Sequence, residues 1–415
     1  MSKTDKLTEK QHRLPYFGVP RLLPYVRKYR GKIVAMVFFG MNTFTGRECG
    51  TGFEEPDLFK PSSLNTDQWA KVVKTAGMKG LIFACKHYDG FCLWPTEQTD
   101  YSVKSSEWLG GQGDVVKSVA DSCRKYGLKF GIYLPLWDKH EPSYGQGKAY
   151  DTFFLNQLRE LLTDYGDVFC VWLDGTCDRG KNDPEQSYDL EAYYALIREL
   201  QPNAVIADIG PDVRWCGNYM GVCRESEWSV VPAYYNIIRR AEMNYTGRVD
   251  YALPDLGERK RIKSCSEFVW YPCAVNVSLR GGRFYKKEED YAIKPLNKVM
   301  KLYEASAGAN ASLILGLSPQ PDGTLDDILA AISVALANTQ AAMAVRFTVV
   351  RSIISFNLLS GCFADTASVA VFARIGKTAF PKNLSTAKGR RRSAAGAPRP
   401  GRTARTPRVR PAGPR

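Results

Sequence analysis

The chain has 415 residues, 44% of them apolar and 12% aromatic, with a formal net charge of +14. That size suits one large α/β barrel plus an appendage, and the apolar content excludes a chain too polar to bury a core. The charge would point to nucleic acid if it were spread along the chain, but thirteen basic residues and no acid lie between Arg374 and Arg415, leaving +1 for residues 1–373. A near-neutral body argues against nucleic acid as a partner.

The N-terminal stretch MSKTDKLTEKQHRL is polar and contains no apolar run. No signal peptide is read there, so the cytoplasm is the default location. Eleven cysteines lack CxxC or zinc-finger spacing. A reduced compartment, or simply buried thiols, suits them better than a disulfide framework.

KIVAMVFFGMN reads as a first strand. In TDQWAKVVKTAGMKGLIFACKH, Trp69, Val72, Val73 and Ala76 recur at helical spacing. Thr66 or Asp67 is placed to cap that helix, Gly77 to stop it, and GLIFAC to follow as a strand. GDVVKSVADSCRKYGLKFGIYLPLW repeats the unit with Asp114 as cap and Gly127 as stop. DTFFLNQLRELLTDYGDVFCVWLDG repeats it with Asp151 and Gly166, and YDLEAYYALIRELQPNAVIADIG is a fourth unit stopped by Pro202. EFVWYPCAVNVS and ASLILGLS read as later strands.

These strands are almost continuously apolar, as strands covered on both faces must be. Helix and strand in alternation predict a parallel sheet. The expected fold is an eight-stranded (β/α)8 TIM-like barrel, with incomplete closure as a variant and an open doubly wound sheet as the alternative. No G-x-G-x-x-G follows the first strand, which disfavours that alternative. The expected divisions are an N-terminal segment 1–30, a barrel 31–325, an apolar segment 326–373 of uncertain role and a basic tail 374–415. In a barrel the chemistry gathers where strands end. Those ends carry Asn42, His87 with Asp89, Trp137 with Asp138, Asp174 and Asp208. Acids, a histidine and aromatic rings on one rim suit a carbohydrate site.

Several long motifs occur in order: FFGMNTFTGRECGTGFEEPDLFKPSSLNTDQW, KHYDGFCLWPTEQTDYSVKSS, WDKHEPSYG, VWLDG and GPDVRWCGN. Together they resemble the α-L-fucosidase family of retaining glycoside hydrolases over residues 33–320, in the branch favouring α-1,3 and α-1,4 linkages. The resemblance implies a barrel, an acidic pocket for L-fucose, a fucosylated oligosaccharide or glycoconjugate as substrate, and no metal or other cofactor. It implies Asp174 as the nucleophile that forms a covalent fucosyl-enzyme intermediate. His87 and Glu48 match residues that contact the sugar, and Tyr133 and Trp172 match residues that line its pocket.

The same resemblance exposes departures. The glutamate of the family's G-N-E motif, its acid/base in this branch, is Tyr219 here, and the other branch's candidate is Ala274. Two histidines of the family pocket are Phe38 and Tyr88, and a tryptophan is Cys49. Glu225 and Glu227 lie near Tyr219 in sequence and read as structural acids. A phenol with a pKa of about 10 is a poor proton donor and base at neutral pH. Reduced fucosidase activity is one expectation, and an inactive descendant, a relic or a weak sugar-binding protein, is the other.

The apolar run from Leu329 is short and holds Asn338, Thr339 and Gln340, so no membrane span is read. The Arg/Ala/Pro/Gly tail predicts disorder, and KGRRRS within it matches a polyanion-binding cluster. After Asp327 the chain carries a single acid, Asp365, and an Arg/Ala/Pro/Gly-rich composition, as when GC-rich DNA is read out of frame. If the tail is out of frame, an alternative frame downstream of the codon for Leu325 encodes family-like sequence; two frames without any would exclude it.

Overall fold

The computed structural model describes residues 33–175, 184–223, 227, 229–247, 249, 263, 265–309 and 311–327. The expectations for residues 1–30, 328–373 and 374–415, and that for Glu225, lie outside the described residues.

Eight strands form one parallel sheet. They are β1 (Ile33–Val37), β2 (Gly80–Ala84), β3 (Lys129–Pro135), β4 (Val168–Asp174), β5 (Val205–Asp208), β6 (Arg214–Trp215), β9 (Cys273–Ser278) and β10 (Ser312–Leu317). Their order is β5-β4-β3-β2-β1-β10-β9-β6. A parallel bridge between Ala207 and Val213 joins the two end strands. The barrel is therefore present, with one weakly sealed seam between β5 and β6, and the open sheet is excluded. β7 (Val230–Pro232) and β8 (Phe268–Trp270) pair antiparallel in a separate ribbon. That corrects the reading of EFVWYPCAVNVS as barrel strand throughout: its first half leaves the barrel, and the break falls at Tyr271 and Pro272, where proline offers no N–H to a ladder.

The helices are α1 (Met41–Thr45), α2 (Thr66–Thr75), α3 (Val115–Lys125), α4 (Lys148–Thr163), α5 (Leu190–Leu200), α6 (Ile237–Glu242) and α7 (Leu296–Ala305). Asp114 caps α3 as expected, its carboxylate accepting from the N–H of Lys117. Two caps differ. Asn65, not Thr66 or Asp67, caps α2 by accepting from the N–H of Gln68. α4 begins a turn before Asp151, whose carboxylate instead ties α4 to α5 by accepting from the Tyr193 hydroxyl and the Asp189 N–H. Gly77, Gly127 and Gly166 all adopt positive φ, at 74°, 62° and 81°, the left-handed turn that closes a helix.

Side chains alternate between two apolar layers. Ala35, Val37, Leu81, Phe83, Ile132 and Leu134 face the helices, while Val34, Met36, Ile82, Ala84 and Ile314 fill the barrel axis. In β4 the alternation is interrupted by a bulge: Phe130 and Ile132 of β3 pair with Val168 and Val171, so β4 carries one extra residue. Phe169 and Cys170 consequently both face the axis. The Phe169 ring fits because Gly80 and Gly131 lie against it; a Cβ on either would come within 2.9 Å of it. Beyond the bulge the phase is inverted, so Trp172 and Asp174 point inward while Leu173 points to the helices. A one-residue shift is enough to change the face of every later side chain.

On the same rim a buried ion pair joins β2 to β3. Lys86 Nζ donates to Asp138 Oδ2 at 2.7 Å and to Gln157 Oε1 of α4 at 2.8 Å, with the two charged side chains 0% and 2% exposed. Removing one partner strands the other charge in the interior. Asp138→Ala should therefore destabilise the protein by about 3–5 kcal/mol, measured as a lowered urea midpoint. A change under about 1 kcal/mol would show that Lys86 finds water or another acid.

Candidate active site

The C-terminal ends of the strands enclose a cavity of about 190 Å³. That lies below the range of roughly 300–1,000 Å³ typical of drug-sized sites, so it matches one small ring rather than a chain. Glu48, Tyr133, Trp172 and Asp174 all line it, with Asp208, Trp215, Tyr219 and Arg283. Four of the five sequence-predicted residues thus share one wall.

Asp174 ends β4 and is 5% exposed. Its Oδ2 accepts from the hydroxyls of Tyr88, at 2.7 Å, and Tyr133, at 2.6 Å. Burial first, and then the charge of Asp174, push both phenols far above their ordinary value. They keep their protons and act as donors.

His87 is placed differently. It is 4% exposed and lines a separate small space with Asp89 and Phe284 rather than the main cavity. Phe284 packs edge-on against it at 4.9 Å, Tyr88 lies 4.2 Å away and Phe38 6.0 Å. Burial, with the charges of Arg283 and Lys139, holds its imidazole well below the ordinary value, so it is neutral at pH 7. Asn42 links the neighbouring groups: its Nδ2 donates to Asp89 Oδ2 at 2.8 Å and lies 3.4 Å from His87 Nδ1. Burial pushes Asp89 up to about 7.

Arg283, which the sequence reading passed over, organises this wall. Its Nε pairs with Glu48 Oε1 at 3.1 Å and its Nη1 lies 3.7 Å from Asp174 Oδ2. The same Nη1 is 3.4 Å from His87 Nε2 and 3.5 Å from the Tyr88 hydroxyl. Its guanidinium lies 5.5 Å from the centre of the Tyr219 ring and 6.0 Å from that of Phe38. The backbone N–H of Arg283 also donates to the Glu48 carboxylate. That approach requires glycine before it, since a Cβ on Gly282 would stand 2.7 Å from Glu48 Oε2. The Gly-Gly pair of SLRGGRF was the one local signal of a close backbone contact.

Tyr219 is 52% exposed and packs its ring 4.9 Å from that of Trp215. Ala274 is buried in the barrel axis and Cys49 is half-buried. Glu227 is 6% exposed and paired with Arg214, so it is turned away from the cavity's chemistry. Cys216, Glu227 and Cys273 bring three donor atoms within 4.8 Å of one another, but the Arg214 cation in that group opposes a metal ion. The nine cysteines among the described residues are unbridged.

A parallel barrel with carboxylates, phenols and indoles at its C-terminal rim has the architecture of the (β/α)-barrel glycoside hydrolases. The sequence pattern of the α-L-fucosidase family matches residues 43–336. Alpha-L-fucosidase 1 of Arabidopsis thaliana is 39% identical over 298 residues, which cover 72% of this chain and 55% of that one. Among solved structures, a glycoside hydrolase 29 family member from an unknown rumen bacterium is 37% identical with a TM-score of 0.66, covering 77% of this chain and 56% of that one. A Ruminococcus gnavus GH29 fucosidase solved in complex with fucose is 26% identical with a TM-score of 0.64, over 78% and 67%. The chain belongs to the α-L-fucosidase family. It spans about half the length of the Arabidopsis relative.

His87 and Asp89 act on stability in opposite directions. The unfolded chain protonates His87 near pH 6.5 while the folded protein does not, so stability falls as pH drops through that value. Asp89 keeps its proton up to about 7, whereas an unfolded aspartate releases it near pH 4, so stability falls as pH rises from about 4 to 7. Asp89→Asn should remove the second trend. The stability difference, variant minus wild type, should rise by up to about 4 kcal/mol across that interval in urea titrations; a flat difference would place the Asp89 proton elsewhere.

Proposed function

We propose that this chain releases terminal α-L-fucose from fucosylated glycans by a retaining double displacement with Asp174 as nucleophile. The observation that carries this reading is the inward-facing Asp174 carboxylate at the end of β4, inside a cavity sized for one sugar ring. Asp174 attacks the anomeric carbon and forms a glycosyl ester, which water then hydrolyses. Tyr88 and Tyr133 hold the carboxylate through Oδ2 and, as neutral donors, stabilise it again as it is released from the ester. Trp172 offers an indole wall for the apolar face of the sugar. Glu48 accepts from hydroxyls, and His87 supports the wall from behind through Arg283 and Tyr88.

Turnover is slow in this reading. Tyr219 stands where the family places its acid/base, and hydrogen bonds from two phenols make Asp174 a weaker nucleophile. Arg283 favours a second reading, that of a descendant with little or no turnover. Its guanidinium already engages Glu48 and Asp174, and a sugar has to compete with those contacts.

An aryl α-L-fucoside with a good leaving group separates the two, since it needs little help from a general acid. The full-length protein should release the phenol, and Asp174→Asn should lose at least about 10³-fold in kcat/KM. A folded wild-type protein no faster than the Asp174→Asn variant would decide for the inactive descendant.

A further inference from the structure

A retaining glycosidase needs a second carboxyl group, and the positions where the family keeps one hold Tyr219 and Ala274. Three carboxyl groups among the described residues line the cavity: Glu48, Asp174 and Asp208. Glu48 is ion-paired to Arg283 and accepts its backbone N–H as well, which leaves Asp208 as the carboxyl to consider.

Its placement is not what strand alternation dictates. In β5 the side chain of Ile206 faces the helices and that of Ala207 faces the axis, so the next residue should again face outward. Asp208 instead adopts φ +68°, the left-handed region that a non-glycine residue enters at an energetic cost. The turn swings its carboxyl into the cavity. Strand β5 is the immediate neighbour of β4, with Asp208 in register with Leu173. Asp208 therefore closes the strand beside the one that Asp174 closes, and both side chains line the same cavity, as the paired carboxyl groups of a retaining site must.

We propose that Asp208 is the second catalytic carboxyl of this site and performs the acid/base work that Tyr219 cannot. The proposal rests on the fucosidase reading above. In the first step the Asp208 O–H bond breaks and its proton goes to the glycosidic oxygen. The bond from that oxygen to the anomeric carbon breaks, its electron pair leaves with the alcohol, and Asp174 forms the ester. In the second step the Asp208 carboxylate takes a proton from water, the water oxygen bonds to the anomeric carbon, and the ester opens to restore Asp174.

The surroundings shift Asp208 toward the protonated form that this role needs. Burial first, and then the neighbouring Asp174 charge, raise it well above the carboxylate range, against the opposing effects of the Trp172 indole N–H, the Gly175 N–H and the Arg283 cation. Tyr133 and Tyr219 line the same space. Two carboxyl groups in one cavity, one of them raised by burial and then by the charge of the other, form the pattern on which acid/base assignments rest.

The test compares an activated aryl α-L-fucoside with a fucosyl-lactose, using the full-length wild type, Asp208→Ala, the isosteric Asp208→Asn and Tyr219→Phe. Asp208→Ala should lower kcat/KM on the fucosyl-lactose by about 10²–10⁴-fold and on the aryl fucoside far less. Added azide should accelerate the aryl reaction of that variant and yield α-fucosyl azide, the retained anomer. If the alanine variant does not fold, Asp208→Asn carries the same leaving-group comparison. Equal loss on both substrates without an azide response would overturn the proposal, leaving Asp208 as a support for Trp172. A leaving-group-dependent loss in Tyr219→Phe would overturn it in favour of the phenol. A wild type inert on the aryl fucoside would instead remove the fucosidase reading itself, and the proposal with it.

Discussion

The bulge in β4 is the constraint on which the rest of the site depends. One extra residue between Val168 and Val171 inverts the alternation, so that Asp174 ends the strand facing the barrel axis. Without it Asp174 would face the helix layer, among Leu173 and its apolar neighbours, where an unpaired carboxylate costs several kcal/mol. The bulge in turn depends on two glycines, Gly131 of the neighbouring β3 and Gly80 of β2 beyond it, because a Cβ on either would crowd the displaced Phe169 ring.

Around Asp174 the cavity wall is an exercise in charge placement. Two carboxylates, Glu48 and Asp174, face a single guanidinium, that of Arg283, while Tyr88, Tyr133 and His87 remain neutral because burial penalises their ionised forms. Where the family pattern has a second histidine, this chain has Tyr88, and the substitution keeps a hydrogen-bond donor while directing it at Asp174 itself. Where the pattern has a histidine at the end of β1, Phe38 offers only an apolar edge to Tyr133 and Phe284. The wall is therefore coherent as folded, yet less rich in groups that discriminate hydroxyls.

The seam of the barrel falls beside the segment that carries Tyr219. β6 has only Arg214 and Trp215, and the β5/β6 junction is one bridge. The segment that follows carries Tyr219, and its anchorage comes from the buried pair of Arg214 with Glu227. Glu227, held in that pair, is not among the residues that line the cavity.

Much of this was legible locally. The stops at Gly77, Gly127 and Gly166, the cap at Asp114 and the apolar strands follow from short-range rules of backbone conformation and periodicity, and they were enough to specify alternating units and hence a parallel sheet, with the barrel as the first expectation and its closure left to the tertiary structure. The motifs likewise singled out Glu48, Tyr133, Trp172 and Asp174. What the sequence could not settle needs partners far along the chain. The phase of β4 depends on its register with β3, the retreat of His87 behind Phe38 and Phe284 joins residues about two hundred positions apart, and the centrality of Arg283 arises only when the loop after β9 folds over the ends of β1, β2 and β4. Local rules fix which backbone shape a segment takes. The direction and charge state of a side chain are decided by what the folded chain packs against it.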